Sequence, residues 1–211
     1  MVNIKSKYEA QNKQQIVSET DPYTPTRYRQ FYRHFPEPSQ TVLDVGCNTG
    51  RGGEVLKTLK PSIQPYGLDC VRDRLDRLPD CYEKGIYGLA NDIPVEDKFF
   101  DVIVAGEFIE HLYPADVDKT LCEFQRVLKI GGRLLLTTPN PSFMGNKLRG
   151  RTVYGVSHLT QHLPRVLGLR LRMHGFSRVK IKGSGKVSNY IGYSFPFLPL
   201  YGGYLIMGDK F

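Results

Sequence analysis

Two rhythms of apolar residues alternate along the chain. Short dense runs stop at glycine, proline or an acid, and stretches with an apolar residue at every third or fourth position lie between them. Thr41 to Val45, interrupted only by Asp44, predicts a first strand that stops in Gly46, Gly50, Gly52 and Gly53. A helix over Gly53 to Leu59 follows. Gln64 to Leu68 predicts strand two, Val71 to Leu78 a charged helix and Gly85 to Leu89 a weak third strand. Phe99 to Ala105 is almost continuously apolar, as a central strand covered on both faces must be. Pro114 to Leu128 carries Val117, Leu121, Phe124 and Leu128 on one stripe, and Gly131-Gly132 predicts its stop. Arg133 to Thr138 predicts strand five, Leu163 to His174 a helix, Arg178 to Lys182 strand six and Tyr204 to Gly208 the last strand. Ahead of all this, Met1 to Asp21 is polar and predicts a loose helix or arm without deep burial. Thr24 then caps a helix running through Phe35, with Tyr28, Phe31, Tyr32 and Phe35 on the face that meets the sheet. Strand alternating with helix is the pattern of an α/β fold built on a parallel sheet.

Composition narrows the class. The 211 residues suffice for one domain with a substantial core. No apolar run reaches membrane-spanning length, and the polar N-terminus lacks a signal-peptide core, which predicts a cytoplasmic protein. Cys47, Cys70, Cys81 and Cys122 show no C-x-x-C pairing and read as free thiols. The net charge of +8 is unevenly placed: Met1 to Glu123 holds 15 Lys/Arg against 20 Asp/Glu, whereas Phe124 to Gly208 holds 13 Lys/Arg and no acid. A field of one sign attracts its opposite, so the second part predicts an anionic small-molecule partner. Nucleic acid is the less favoured partner, because no nucleic-acid module accompanies the domain.

The strand, glycine-rich turn and helix at Thr41–Gly53 form the opening unit of a nucleotide-binding sheet. Asn48 stands where a further glycine would sit, and Asn is the next-best residue for a left-handed turn. No GK[ST] follows, which argues against a phosphate-cradling P-loop. The string LDVGCNTG resembles motif I of the class I S-adenosyl-L-methionine (SAM)-dependent methyltransferases, [DE]-x-G-x-G-x-G. The later block, E-x-x-E-H-L, helix, then L-K-x-G-G-x-L-L-L-T-x-P-N, resembles the subgroup with ubiquinone- and menaquinone-type and sugar-cluster methyltransferases. The resemblance covers about residues 41 to 176. It implies a Rossmann-like, doubly wound, mostly parallel seven-stranded sheet with an antiparallel last strand and helices on both faces. It also implies a single domain with an N-terminal arm and helix (1–38), a SAM-binding core (41–138) and a basic, aromatic acceptor-binding part (139–211).

The resemblance further implies a site. SAM is the cofactor, and Asp44, Gly46, Cys47, Asn48 and Gly50 belong to its first loop. Asp69, ending strand two, would receive the ribose hydroxyls, since a carboxylate accepts from both. Asp92 would meet the adenine amino group, Ile93 would pack on the ring, and Glu107 would face the methionine moiety or the acceptor. For a base we take His111 or His158, because histidine titrates in the right range and Phe124 to Gly208 has no carboxylate. His162 and His174 look peripheral. The leading reading is O-methylation of a small anionic acceptor such as a sugar, nucleotide-sugar or glycan precursor, without a metal. An alternative set, Glu107, Glu110, His111 and His158, resembles the metal-binding residues of small-RNA 3′-end 2′-O-methyltransferases. Quinone or lipid acceptors and a non-catalytic SAM-binding regulator are the further alternatives.

Overall fold

The structure is a computed structural model of the chain and describes residues 4–13, 20–155 and 157–211. Seven strands, β1 (Thr41–Val45), β2 (Gln64–Asp69), β3 (Lys84–Tyr87), β4 (Phe100–Gly106), β5 (Leu128–Pro139), β6 (Phe176–Ser184) and β7 (Gly203–Lys210), form one sheet in the order β3-β2-β1-β4-β5-β7-β6. The first five pair in parallel, and β7 runs antiparallel to both β5 and β6. The helices are α1 (Ile4–Lys13), α2 (Thr24–Tyr32), α3 (Arg51–Leu59), α4 (Arg72–Leu75), α5 (Pro114–Val127), α6 (Met144–Leu148), α7 (Pro164–Met173) and α8 (Ser188–Ile191).

Two apolar layers sandwich the sheet. On one face Tyr28 and Phe31 of α2 and Leu56 of α3 cover Val42, Val102, Val104 and Leu135. On the other, Val117, Leu121 and Phe124 of α5 and Leu167 and Leu171 of α7 cover Leu43, Ile103 and Leu134. Val117, Leu121 and Phe124 are fully buried, so the helical stripe is realised as core. Tyr28 and Phe31 likewise pack on the sheet.

Several boundaries differ from the sequence expectation, each for a local reason. The 71–78 helix shrinks to Arg72–Leu75, because Arg77 and Leu78 bond back by only three residues and tighten the chain before Pro79. Gly131-Gly132 does not end α5. Leu128 is already extended and pairs with Phe100, so β5 starts there and Gly131, at φ 79°, sits in an irregularity of that strand. Tyr23, not Thr24, occupies the N-cap of α2. The N-terminal arm is not shallow: α1 buries Tyr8, whose hydroxyl donates to Asp116 Oδ2 (2.8 Å) and accepts from the Tyr113 amide (2.8 Å). Residues 1–3 and 14–19 of that arm lie outside the described residues. Among the described residues, no helix is long and apolar enough to cross a membrane.

Register sets the position of the site. Val45 pairs with Leu68 on one side and Ala105 on the other, so Gly46, Asp69 and Gly106 emerge in one row at the carboxyl edge. The chain also reverses its winding between β1 and β4, and the crevice at such a switch point is where doubly wound sheets bind ligands.

Candidate functional site

A cavity of about 830 Å³ opens on that row. Its floor is the turn after β1. Gly46 (φ 66°) and Asn48 (φ 54°) are both left-handed, which brings the backbone up to the cavity, and both line it together with Cys47. Asp69 also lines it. The Asp69 carboxylate accepts from the Asn48 amide (3.0 Å) and the Val71 amide (2.9 Å), and Arg74 Nη1 lies 3.9 Å away. Burial raises its pKa from the ordinary carboxylate value, against the pull of Arg74 and those amides.

Two members of the expected first loop lie elsewhere. Asp44 is wholly buried behind the turn, where it accepts from the hydroxyls of Tyr28 and Tyr82, each at 2.5 Å. It does not line this cavity and instead holds Tyr28, which does. Burial pushes its pKa up to about 6, with the two hydroxyl bonds opposing. Gly50 (φ 83°) faces Leu78, Pro79 and Tyr82 and acts as a packing point. The Asp92-Ile93 pair is also displaced. A tight turn bonds the Asp92 amide to the Leu89 carbonyl, leaving Asp92 exposed and Ile93 in the core, while Leu89, Ala90 and Asn91 face the cavity. Of the four acids assigned to the cofactor site, Asp44, Asp69, Asp92 and Glu107, Asp69 and Glu107 line the cavity and the other two do not.

The opposite wall begins where β4 ends. Glu107 adopts φ 52°, strained for a residue with a side chain, and its amide is held by the carbonyl and hydroxyl of Thr137. Its Oε1 lies 4.0 Å from Arg27 Nε, and Arg27 pairs with Asp21 at 3.0 Å. The chain then turns through Ile109–His111. The Glu110 carbonyl accepts from the amides of Leu159 and Thr160, which pins the loop carrying His158 against His111. The two imidazole centroids are 5.0 Å apart. His111 Nδ1 meets the Ser157 carbonyl at 2.8 Å and His158 Nδ1 meets the Val153 carbonyl at 2.7 Å. A carbonyl only accepts, so each Nδ1 bears a proton, and a ring in its neutral form keeps a lone pair on Nε2. Burial drops His111 to about 4, so this ring is neutral at physiological pH. Glu110 is buried, takes the Thr138 hydroxyl on Oε2 (2.9 Å), and its Oε1 has no hydrogen-bond partner among the described residues. Burial and the charge of Glu107 raise its pKa well above the usual range.

Glu110, His111 and His158 place one ligand atom each within 4.8 Å of one another. Glu107, the fourth residue of the alternative metal set, is outside that trio.

Several wall residues were not anticipated. Tyr8, Asn12, Asp21 to Thr24, Arg27 and Tyr28 close the cavity from the N-terminal side. Among the described residues of the basic part from Phe124 to Gly208, only Ser157 and His158 reach it, and the arginines of the cavity wall are Arg27, Arg51 and Arg74. A signal for α2 was present, since Arg27 and Tyr28 lie in the aromatic helix, but burial on the sheet accounted for it. Tyr8 had none beyond being an aromatic in a polar segment.

The lining fits SAM. The cavity exceeds the bulk of a nucleoside joined to an amino acid, the backbone is exposed by two left-handed residues, and carboxylates stand at both ends for hydroxyls and a cation. Comparison with known proteins agrees. Residues 43–136 match the family described as Methyltransferase domain. A malonyl-[acyl-carrier protein] O-methyltransferase of Methylococcus capsulatus is 28% identical over 71% of this chain and 56% of its own length. The ubiquinone/menaquinone biosynthesis C-methyltransferase UbiE of Vibrio campbellii is 32% identical over 47% of this chain and 41% of its own. The chain thus spans about half the length of these two curated relatives. A crystal structure of a SAM-dependent methyltransferase from Archaeoglobus fulgidus has the same fold, with a TM-score of 0.67 at 22% identity over 88% of this chain and 92% of that one. The turn after β1, the cavity at the switch point and the match over residues 43–136 together identify that segment as a methyltransferase domain of the class I SAM-dependent kind, whose cofactor is S-adenosyl-L-methionine.

Proposed function

We propose that the protein O-methylates a small acceptor, with a sugar, nucleotide-sugar or glycan-precursor hydroxyl as the leading class and the cytoplasm as the place of action. The observation that carries this reading is one cavity holding Asp69 at one end and the Glu107–His111–His158 wall at the other. SAM supplies a methyl group on a sulfonium, a good leaving group for in-line attack. The chain's part is binding, orientation and proton removal. Gly46, Cys47 and Asn48 line the nucleoside end, Asp69 accepts the ribose hydroxyls, and Glu107 offers its charge to the cationic end. His158 Nε2 takes the acceptor's hydroxyl proton. His111, neutral beside it, holds the geometry and is the alternative base.

The acceptor's anionic character rests on long-range attraction rather than contact, because the basic residues after Phe124 stand outside the cavity wall. Within the single domain, Tyr8, Asn12, Arg27 and Tyr28 of the N-terminal part share the cavity wall with the SAM core. Calorimetry with SAM on the intact protein, followed by a turnover screen across anionic sugars and nucleotide-sugars, tests the reading. Micromolar binding with transfer to a hydroxyl supports it. Absence of binding sinks the whole reading, and binding with transfer only to carbon or nitrogen sinks the O-directed part.

One observation favours a second reading, metal-assisted transfer. An unpartnered carboxylate oxygen and two imidazoles, each oriented by a backbone carbonyl, are a donor set suited to a divalent cation that grips neighbouring hydroxyls. Activity on ribose ends that vanishes after chelation and returns with Mg²⁺ or Mn²⁺ would select this reading. Metal-indifferent turnover would remove it.

A further inference from the structure

Where α5 meets α7, four side chains outside the cavity wall are zipped together. Asp118 and Cys122 stand one turn apart on α5, and Arg170 of α7 and His174 at its C-cap stand one turn apart beside them. Arg170 donates from Nε (2.6 Å) and Nη2 (3.0 Å) to the two oxygens of Asp118. His174 Nε2 lies 2.9 Å from Asp118 Oδ1, and its Nδ1 lies 3.4 Å from Cys122 Sγ. The hydrogen bonds from Arg170 and His174 hold the Asp118 carboxyl down at about 2, hence ionised. An ionised carboxylate only accepts, so Nε2 bears a ring proton, and in the neutral ring the lone pair of Nδ1 faces the thiol. Nucleophile, base and orienting carboxylate in that order are the arrangement by which a thiol is relieved of its proton. Cys122 is exposed, whereas Cys47 is buried and Cys70 and Cys81 are half-buried. None of these four residues lines the cavity.

We propose that Cys122 is a covalent modification site, where His174 withdraws the thiol proton and the sulfur exchanges with low-molecular-weight disulfides of the glutathione class. The Cys122 proton passes to His174 Nδ1 as Sγ attacks one sulfur of the disulfide. A new S–S bond forms, the old one breaks, and the departing thiolate collects the proton from Nδ1. Cys122 is oxidised, the small disulfide is reduced, and no further reagent is needed. Asp118 positions the ring and compensates its transient positive charge, and Arg170 holds Asp118.

The test uses the reduced full-length protein and oxidised glutathione at pH 7, with peptide mass spectrometry following each cysteine over time. A free thiol is only a few per cent thiolate at that pH, so base assistance should make Cys122 react about tenfold or more faster than Cys81. His174→Asn, a residue suited to a helix C-cap, should bring Cys122 down to the rate of Cys81. Asp118→Asn should slow it by a smaller factor, because the ring is no longer held in one tautomer. Circular dichroism checks that both variants fold, and Asp118→Asn alone carries the test should His174→Asn not. Equal rates for Cys122 and Cys81 in the parent protein, or an unchanged Cys122 rate in a folded variant, overturn the proposal.

Discussion

Asp44→Asn should make the protein more stable, and by an amount that depends on pH. The carboxylate is fully buried and is met by two neutral hydroxyls, with no ion pair to it among the described residues. Its displacement from 3.8 to about 6 means that the native state holds a proton there more tightly than the unfolded chain does. The charge therefore costs nothing below the unfolded value, and costs progressively more as pH rises through the folded one. At about 1.4 kcal/mol for each tenfold change in proton affinity, the full cost is about 3 kcal/mol at pH 8 and about 1 kcal/mol at pH 4.5. Asparagine keeps the shape, accepts from one tyrosine and donates to the other, and carries no charge. The advantage of Asp44→Asn should grow by about 2 kcal/mol between pH 4.5 and pH 8, about 1 M in the urea midpoint for a slope of about 2 kcal/mol per molar. The assay is urea unfolding followed by circular dichroism on both proteins at both pH values. The difference between the two proteins cancels the other titrating groups. A gap that does not change with pH, or that narrows toward pH 8, would refute the account of Asp44 as a desolvated charge.

Other outcomes follow from the same geometry. Gly52→Ala should lower stability by about 1–3 kcal/mol in the same unfolding assay, since its Cβ would lie 2.1 Å from the Tyr28 ring that Asp44 holds. Tyr8→Phe should cost about 1–3 kcal/mol, because the Tyr113 amide loses its partner and Asp116 keeps only Asn91 of its two hydrogen-bond donors; an unchanged melting temperature would contradict this. Asp69→Asn should weaken SAM binding by tenfold or more in calorimetry, about 1.4 kcal/mol, and equal affinity would remove the ribose assignment. His158→Ala should reduce kcat by about 10²–10⁴ with little change in SAM affinity, whereas an unaffected kcat would pass the base role to His111.

The sheet was legible because each strand carried its own signature. The run Phe99 to Ala105 and the stripe Val117, Leu121, Phe124 reflect burial on fixed faces, and periodicity reads burial directly. The turn at Gly46–Asn48 was legible because few residues tolerate φ above zero. The side chains around the cavity were less so. Asp44 and Asp69 look alike in sequence, each an acid in or at the end of an apolar run, yet one faces Tyr28 and Tyr82 and the other the cavity; that depends on α2 and the 78–82 segment. Asp92 missed the site because a single turn, Leu89 to Asp92, rotates three neighbours inward in its place. The N-terminal wall was hidden because Tyr8 reaches Asp116 across 108 residues of chain, and no local pattern encodes such a contact.

The outermost strand, β6, gives some of the positive charge another use. It pairs on one side only, with β7, and presents Arg178, Lys180 and Lys182 at alternate positions along its length. A bare strand margin invites copies of the chain to add on, and cations spaced along it repel a like strand before it can zip up. The opposite margin, β3, is guarded by brevity and by Lys84. Part of the cationic tract thus serves as a fender that keeps crowded molecules apart, and replacing Lys180 and Lys182 with threonine would leave each molecule folded but ready to stack.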